Sequence, residues 1–123
     1  MNAVFDSDFL IDYLGGLEAA REVPEVYESW FISIVSFVEV LTGASTPAED
    51  AAAREVLGGF EVVPVSLEIA ERAVGLRRAR RRLKTPDALV WATAQSLDDC
   101  VLVTRNTKDF PEDDPDIRIP YRL

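Results

Sequence analysis

No histidine occurs among the 123 residues, and there is a single cysteine, Cys100. The first absence removes Ser-His-Asp and Cys-His triads, His-ligated zinc and imidazole general bases together. The second excludes a disulfide framework and any zinc site built from several thiolates. No apolar run approaches the roughly 18 uninterrupted residues that a membrane-spanning helix needs. The N-terminus also lacks the basic-then-apolar pattern of a signal peptide, so the expected address is the cytoplasm, with no membrane partner. Positive charge is scarce: 13 basic residues stand against 22 acidic ones, a net −9. Taken whole, that balance argues against a generic nucleic-acid binder, whose attraction to phosphate needs positive surface. What is plentiful is apolar content, 48% of residues, sufficient for one core. The expectation is a single domain over residues 1–123.

The distribution of charge says more than its total. Residues 1–76 hold 3 basic and 14 acidic side chains, whereas residues 77–84 hold 6 basic and none acidic. The remaining 39 residues are again acidic, with 8 acids to 4 bases. Nearly half of the positive charge is therefore packed into Arg77, Arg78, Arg80, Arg81, Arg82 and Lys84.

Periodicity gives the order of elements. Ala3-Val4-Phe5, Trp30 to Ile34, Phe60 to Val65, Val101-Leu102-Val103 and Ile117 to Ile119 are short, branched or aromatic runs and predict strands. Between them, helices are predicted over Phe9–Leu14, over 17–29 with a break at Pro24, over 36–42, from Thr46-Pro47 to Gly58, from Ser66 into the arginine run, and from Thr85-Pro86 onward. Strands alternating with helices indicate an α/β fold, a three-layer sandwich with a mostly parallel central sheet flanked by helices.

In such folds ligands bind just beyond the carboxyl ends of the strands. Asp6 and Asp8 follow the first strand, Glu39 lies a turn into the helix after the second, Asp87 opens the helix after Thr85-Pro86, and Asn106 and Asp109 follow the fourth strand. Each has an ordinary explanation. Asp8 would cap the helix starting at Phe9, Ser36 and Glu39 have the spacing of a capping box, and Asp87 would favour the helix dipole. Glu39 is also flanked by apolar residues, which predicts a largely buried carboxylate. Capping, however, gives no reason for acids to collect at one sheet edge. Carboxylates converging there repel one another unless a divalent cation joins them, and oxygen ligands without histidine or thiolate select Mg2+ or Mn2+. The expected chemistry is metal-assisted hydrolysis of a phosphodiester.

Four stretches in order then carry a resemblance: Val4-Phe5-Asp6-Ser7-Asp8-Phe9-Leu10-Ile11-Asp12, Ser36-Phe37-Val38-Glu39-Val40-Leu41-Thr42-Gly43, Thr85-Pro86-Asp87-Ala88-Leu89-Val90-Trp91-Ala92-Thr93-Ala94, and Leu102-Val103-Thr104-Arg105-Asn106-Thr107-Lys108-Asp109-Phe110. Together they resemble the PIN-domain ribonucleases, and among these the VapC-type toxins of toxin–antitoxin pairs. The resemblance implies that Asp6, Glu39 and Asp87 bind metal, with Asn106 or Asp109 as a fourth ligand and Asp109 an added catalytic acid. Asp8 stands where such proteins more often carry asparagine. Ser7, Asp8, Ser36 and Thr104 are supporting polar groups. The resemblance also implies an RNA substrate, a homodimer, and a VapB-like antitoxin that pushes a basic side chain into the acidic pocket. Arg80, Arg81, Arg82, Lys84 and Arg105 are the candidates for holding the RNA backbone. Trp30, Trp91 and Cys100 read as core. Two other readings stay open: a phosphatase-like enzyme forming an aspartyl phosphate within Asp6-Ser7-Asp8, and a non-catalytic RNA- or protein-binding module.

Overall fold

A computed structural model describes residues 1–123. Its elements are β1 (Asn2–Phe5), α1 (Ser7–Leu14), α2 (Glu18–Arg21), a 3-10 turn (Val23–Val26), β2 (Trp30–Ser33), α3 (Ile34–Thr42), α4 (Pro47–Leu57), β3 (Glu61–Val63), α5 (Leu67–Ala79), α6 (Thr85–Ser96), β4 (Cys100–Val103) and β5 (Ile117–Arg118). The five strands form one sheet in the order β3-β2-β1-β4-β5, with every pairing parallel. No helix is long and apolar enough to cross a membrane.

Strand alternation divides the core between the two faces of the sheet. Val4 and Leu102 turn to one side, where Ile69, Ala73, Leu83, Ala88, Trp91 and Phe110 cover them. Ala3, Phe5, Val101 and Val103 turn to the other and meet Phe9, Leu10, Ile32, Val40, Leu57 and Phe60. Helices α5 and α6 thus close one face and α1, α3 and α4 the other, the expected three layers. Cys100 and Trp91 are buried as core, and Trp30 is half-buried. Because β1 is central and connects outward to β2 on one side while β4 flanks it on the other, the sheet order reverses between β1 and β4. That reversal opens the crevice in which ligands of parallel sheets lie.

Several boundaries differ from the periodic reading, and for α1 and α3 a side-chain cap decides. Helix α1 begins at Ser7 rather than Phe9, because Asp6, extended at φ −74° and ψ 158°, caps it and accepts the Ser7 N–H. Helix α3 begins at Ile34 rather than 36: Ser33 is the cap, its hydroxyl accepting the Val35 N–H at 3.1 Å. Ile34 and Val35 are β-branched and look like strand, but the cap starts the helix two residues earlier. Ser36 and Glu39 therefore form no capping box. The 17–29 segment breaks at Glu22, with Pro24 inside the following 3-10 turn. Helix α5 stops at Ala79, so Arg80–Lys84 is a connecting turn and not the polar end of the helix. Thr85 is the first residue of α6 instead of its cap.

Candidate metal centre

The switch point between β1 and β4 delivers the site. Asp6 leaves β1 with its N–H donated to the Val103 carbonyl (2.9 Å), which brings it beside Thr104 at the end of β4. The Thr104 hydroxyl donates to Asp6 Oδ2 at 2.8 Å, while Ser7 N–H donates to Oδ1 at 2.9 Å. Asn106 N–H in turn donates to the Thr104 hydroxyl at 3.0 Å. The Ser7 hydroxyl reaches across to α3 and donates to Glu39 Oε1 at 3.0 Å. Ser7 therefore joins two of the expected acids, one through its backbone and one through its side chain.

Asp6 is 4% exposed and has no Lys or Arg partner. Burial, reinforced by the neighbouring negative charges of Asp8 and Asp87, pushes its carboxyl up to about 7 against the pull of the Thr104 and Ser7 donors. Asp8 is raised by desolvation, opposed by the Arg105 N–H that reaches its Oδ1 at 3.3 Å. Asp87, in the first turn of α6, is raised by burial and by the charges of Asp109, Glu39 and Asp8. Asp6, Asp8, Glu39, Asp87 and Asp109 thus sense one another across the edge to which β1, β2 and β4 point. None of the five is ion-paired.

Oxygen is the only donor type in this set, and a carboxylate desolvated among like charges with no cation is costly unless one is supplied. In kind, the residues fit a hard divalent ion. As the side chains stand, no three acids close on a single point. Glu39 is engaged by the Ser7 hydroxyl, and Asn106 and Asp109 are engaged with each other. In that pair Asn106 Nδ2 donates to Asp109 Oδ2 (2.9 Å) and Asp109 N–H donates to Asn106 Oδ1 (3.1 Å), so both polar ends of the amide are committed.

Other expected residues are placed differently. Glu39 is exposed, because its neighbours Phe37 and Val40 cover the core side of α3 while it faces the open crevice. Ser36 is fully buried, and its hydroxyl has no partner in the protein. The Arg105 guanidinium is held by Asp12, with Nε–Oδ2 at 2.7 Å and Nη2–Oδ1 at 3.3 Å, and is not a free cation for RNA. Arg80, Arg81, Arg82 and Lys84 are exposed around Leu83, which anchors their turn in the core at 3% exposure. Arg80 lies over the Trp91 ring, 5.5 Å from its centroid. A concavity of about 730 Å3 lies away from the acids, between α5 and α6, walled by Arg77, Arg78 and Arg81.

Sequence reasoning missed the roles of Arg77 and Asp12. Arg77 donates from Nε to the Leu83 carbonyl (2.8 Å) and from Nη1 to the Thr85 hydroxyl (3.0 Å), bracing the turn that leads to Asp87. Asp12 had one signal, its spacing of four from Asp8, which puts both acids on one face of α1.

The PIN domain profile matches residues 3–112. Among solved structures, the chain is similar to one in a toxin-antitoxin complex from Klebsiella pneumoniae, at 38% identity over 98% of this chain and 99% of that chain, with a TM-score of 0.88. VapBC2 from Rickettsia felis, bound to a DNA fragment from its promoter, matches at 17% identity over 89% and 91% of the two chains, with a TM-score of 0.79. FitAcB from Neisseria gonorrhoeae matches at 16% identity over 98% and 99%, with a TM-score of 0.78. The last two are similar in fold alone. No curated protein matches the chain.

Proposed function

The chain belongs to the PIN-domain family, and from that premise we propose that it is a divalent-metal-dependent endoribonuclease, a single nuclease domain over residues 1–123 that acts as the toxin of a toxin–antitoxin pair. The observation that carries the reading is Asp6, a carboxylate 4% exposed, bound only by neutral donors and surrounded by other acids. Asp6, Glu39 and Asp87 would hold Mg2+ or Mn2+, with Asp109 the fourth acid and Asn106 its holder. The bound ion supplies a water of lowered pKa and charge stabilisation at the phosphoryl oxygens.

The chain's own residues do the positioning. Thr104 and Ser7 fix both Asp6 oxygens, Ser7 restrains Glu39, and the dipole of α6 favours the charge on Asp87. Arg80, Arg81, Arg82 and Lys84, on the turn just before Asp87, would bind the RNA backbone at phosphates flanking the cleaved bond. Such contacts are sequence-tolerant.

An antitoxin finds matching chemistry on the α1–α3–α4 side. A groove of about 370 Å3, lined by Ile11, Leu14, Val40, Ala44, Ala52 and Ala53, adjoins the helix that starts at the acidic centre. Ile11, in that lining, is 57% exposed. An apolar antitoxin segment ending in a basic side chain would cover the groove and place its charge among the acids. The homodimer and the cytoplasmic address are proposed on the family resemblance. Calorimetric titration with Mn2+ tests the centre: the wild type binds, and Asp6→Asn loses binding while keeping its fold. Equal binding by both would refute the assignment.

A further inference from the structure

Thr104, Asn106 and Asp109 reach the site on a segment that belongs to no strand or helix. Such segments drift unless side chains tie them down. The tie here is Arg105. Its N–H donates to Asp8 at 3.3 Å, and its guanidinium forks onto Asp12 at 2.7 and 3.3 Å. Asp8 and Asp12 lie a turn apart on one face of α1, so a single residue is fixed at two points along that helix. The Asp12 Oδ2 that accepts from Nε also accepts from the Tyr121 hydroxyl at 2.7 Å. Tyr121 in turn leans on the Phe9 ring, with centroids 6.4 Å apart. The Asp12 side chain is 13% exposed and that of Arg105 33%, so this forked pair is better shielded than the other ion pairs of the chain.

We propose that Asp12, Arg105 and Tyr121 form a clamp that positions the Thr104–Asp109 loop over the acidic centre, making the last residues of the chain part of the site's architecture. The proposal rests on reading the centre as a cation site. The three are positioning residues: they set where the Thr104 hydroxyl meets Asp6 and where Asp109 stands relative to Asp87. The clamp has a second consequence. Neutralising Asp12 while Arg105 remains leaves a guanidinium beside Asp8 with no paired charge of its own. It then competes with a divalent cation for the acids.

The test is Mn2+ titration of folded protein together with amide hydrogen exchange. Tyr121→Phe weakens Mn2+ binding about 3-fold, and Asp12→Asn by about 10-fold or more, as partners of ligand-bearing groups do. Asp12→Asn/Arg105→Gln recovers part of that loss, because the competing cation is gone. A merely structural role predicts the opposite, with the double variant weaker than either single one. In Asp12→Asn the amides of Asn106 and Asp109 also exchange faster, while those of β1 and β4 do not. Wild-type Mn2+ affinity and wild-type protection at Asn106 and Asp109 in folded Asp12→Asn would overturn the clamp. If that variant does not fold, Tyr121→Phe decides by the same two readouts. If the wild type takes up no Mn2+, the cation-site reading falls, and exchange at Asn106 and Asp109 alone decides the clamp.

Discussion

At Asp6 the backbone asks for a capping acceptor and the site asks for a charge, and burial opposes the second while leaving the first intact. Its carboxyl is raised to about 7 from an ordinary value near 3.8. A raised carboxyl leaves stability intact below the unfolded value and lowers it as pH climbs towards the folded value, so the metal-free protein loses stability between about pH 4 and pH 7, on the order of 4 kcal/mol from this residue. Asp6→Asn keeps a good cap and removes the charge. The variant should therefore be more stable than metal-free wild type at pH 7, with the gap closing near pH 4; denaturant melts at both pH values check this. Thr104→Val takes away the donor to Asp6 Oδ2 and the acceptor for the Asn106 N–H. It should cost about 1–3 kcal/mol through the unpaired groups, measurable in the same melts.

The elements place these residues through caps and one core anchor. Ser33 starts α3 and so determines where Glu39 falls. Ser33→Ala should cost about 1 kcal/mol in thermal unfolding and weaken Mn2+ binding by loosening Glu39. Strands and helices were legible in the sequence because apolar periodicity reports burial, and the parallel sheet followed from their alternation. That Asp6 and Thr104 meet was legible because the parallel strands β1 and β4 deliver their carboxyl ends to one edge. The rest depended on tertiary partners that spacing does not encode. The cap of α3 moved to Ser33, which undid the capping box, and Glu39 faces the crevice, exposed rather than buried. Arg105, read as an RNA contact from its position, found Asp12, which also holds Tyr121 from 109 residues away. Arg77 was read only as part of the basic run, because nothing local announces its bonds to Leu83 and Thr85.

For the molecule as a whole, net charge of −9 and an RNA substrate are compatible because the charges are separated in space. The acids at the sheet edge form the proposed metal centre, and the basic turn beside Asp87 faces solvent. RNA affinity should be strongly salt-dependent and carried by that turn. Arg81→Ala/Arg82→Ala should weaken binding across sequences and lower the slope of log affinity against log salt by about 0.7 for each single-strand phosphate that is no longer neutralised. Whether the five acids make a metal-dependent RNA-cleaving site is decided by incubating total RNA with wild type and with Asp87→Asn, in Mn2+ or Mg2+ and in chelator. Cleavage is expected only from wild type with metal. Cutting by Asp87→Asn at the wild-type rate, or by wild type in chelator, would refute the metal-site mechanism.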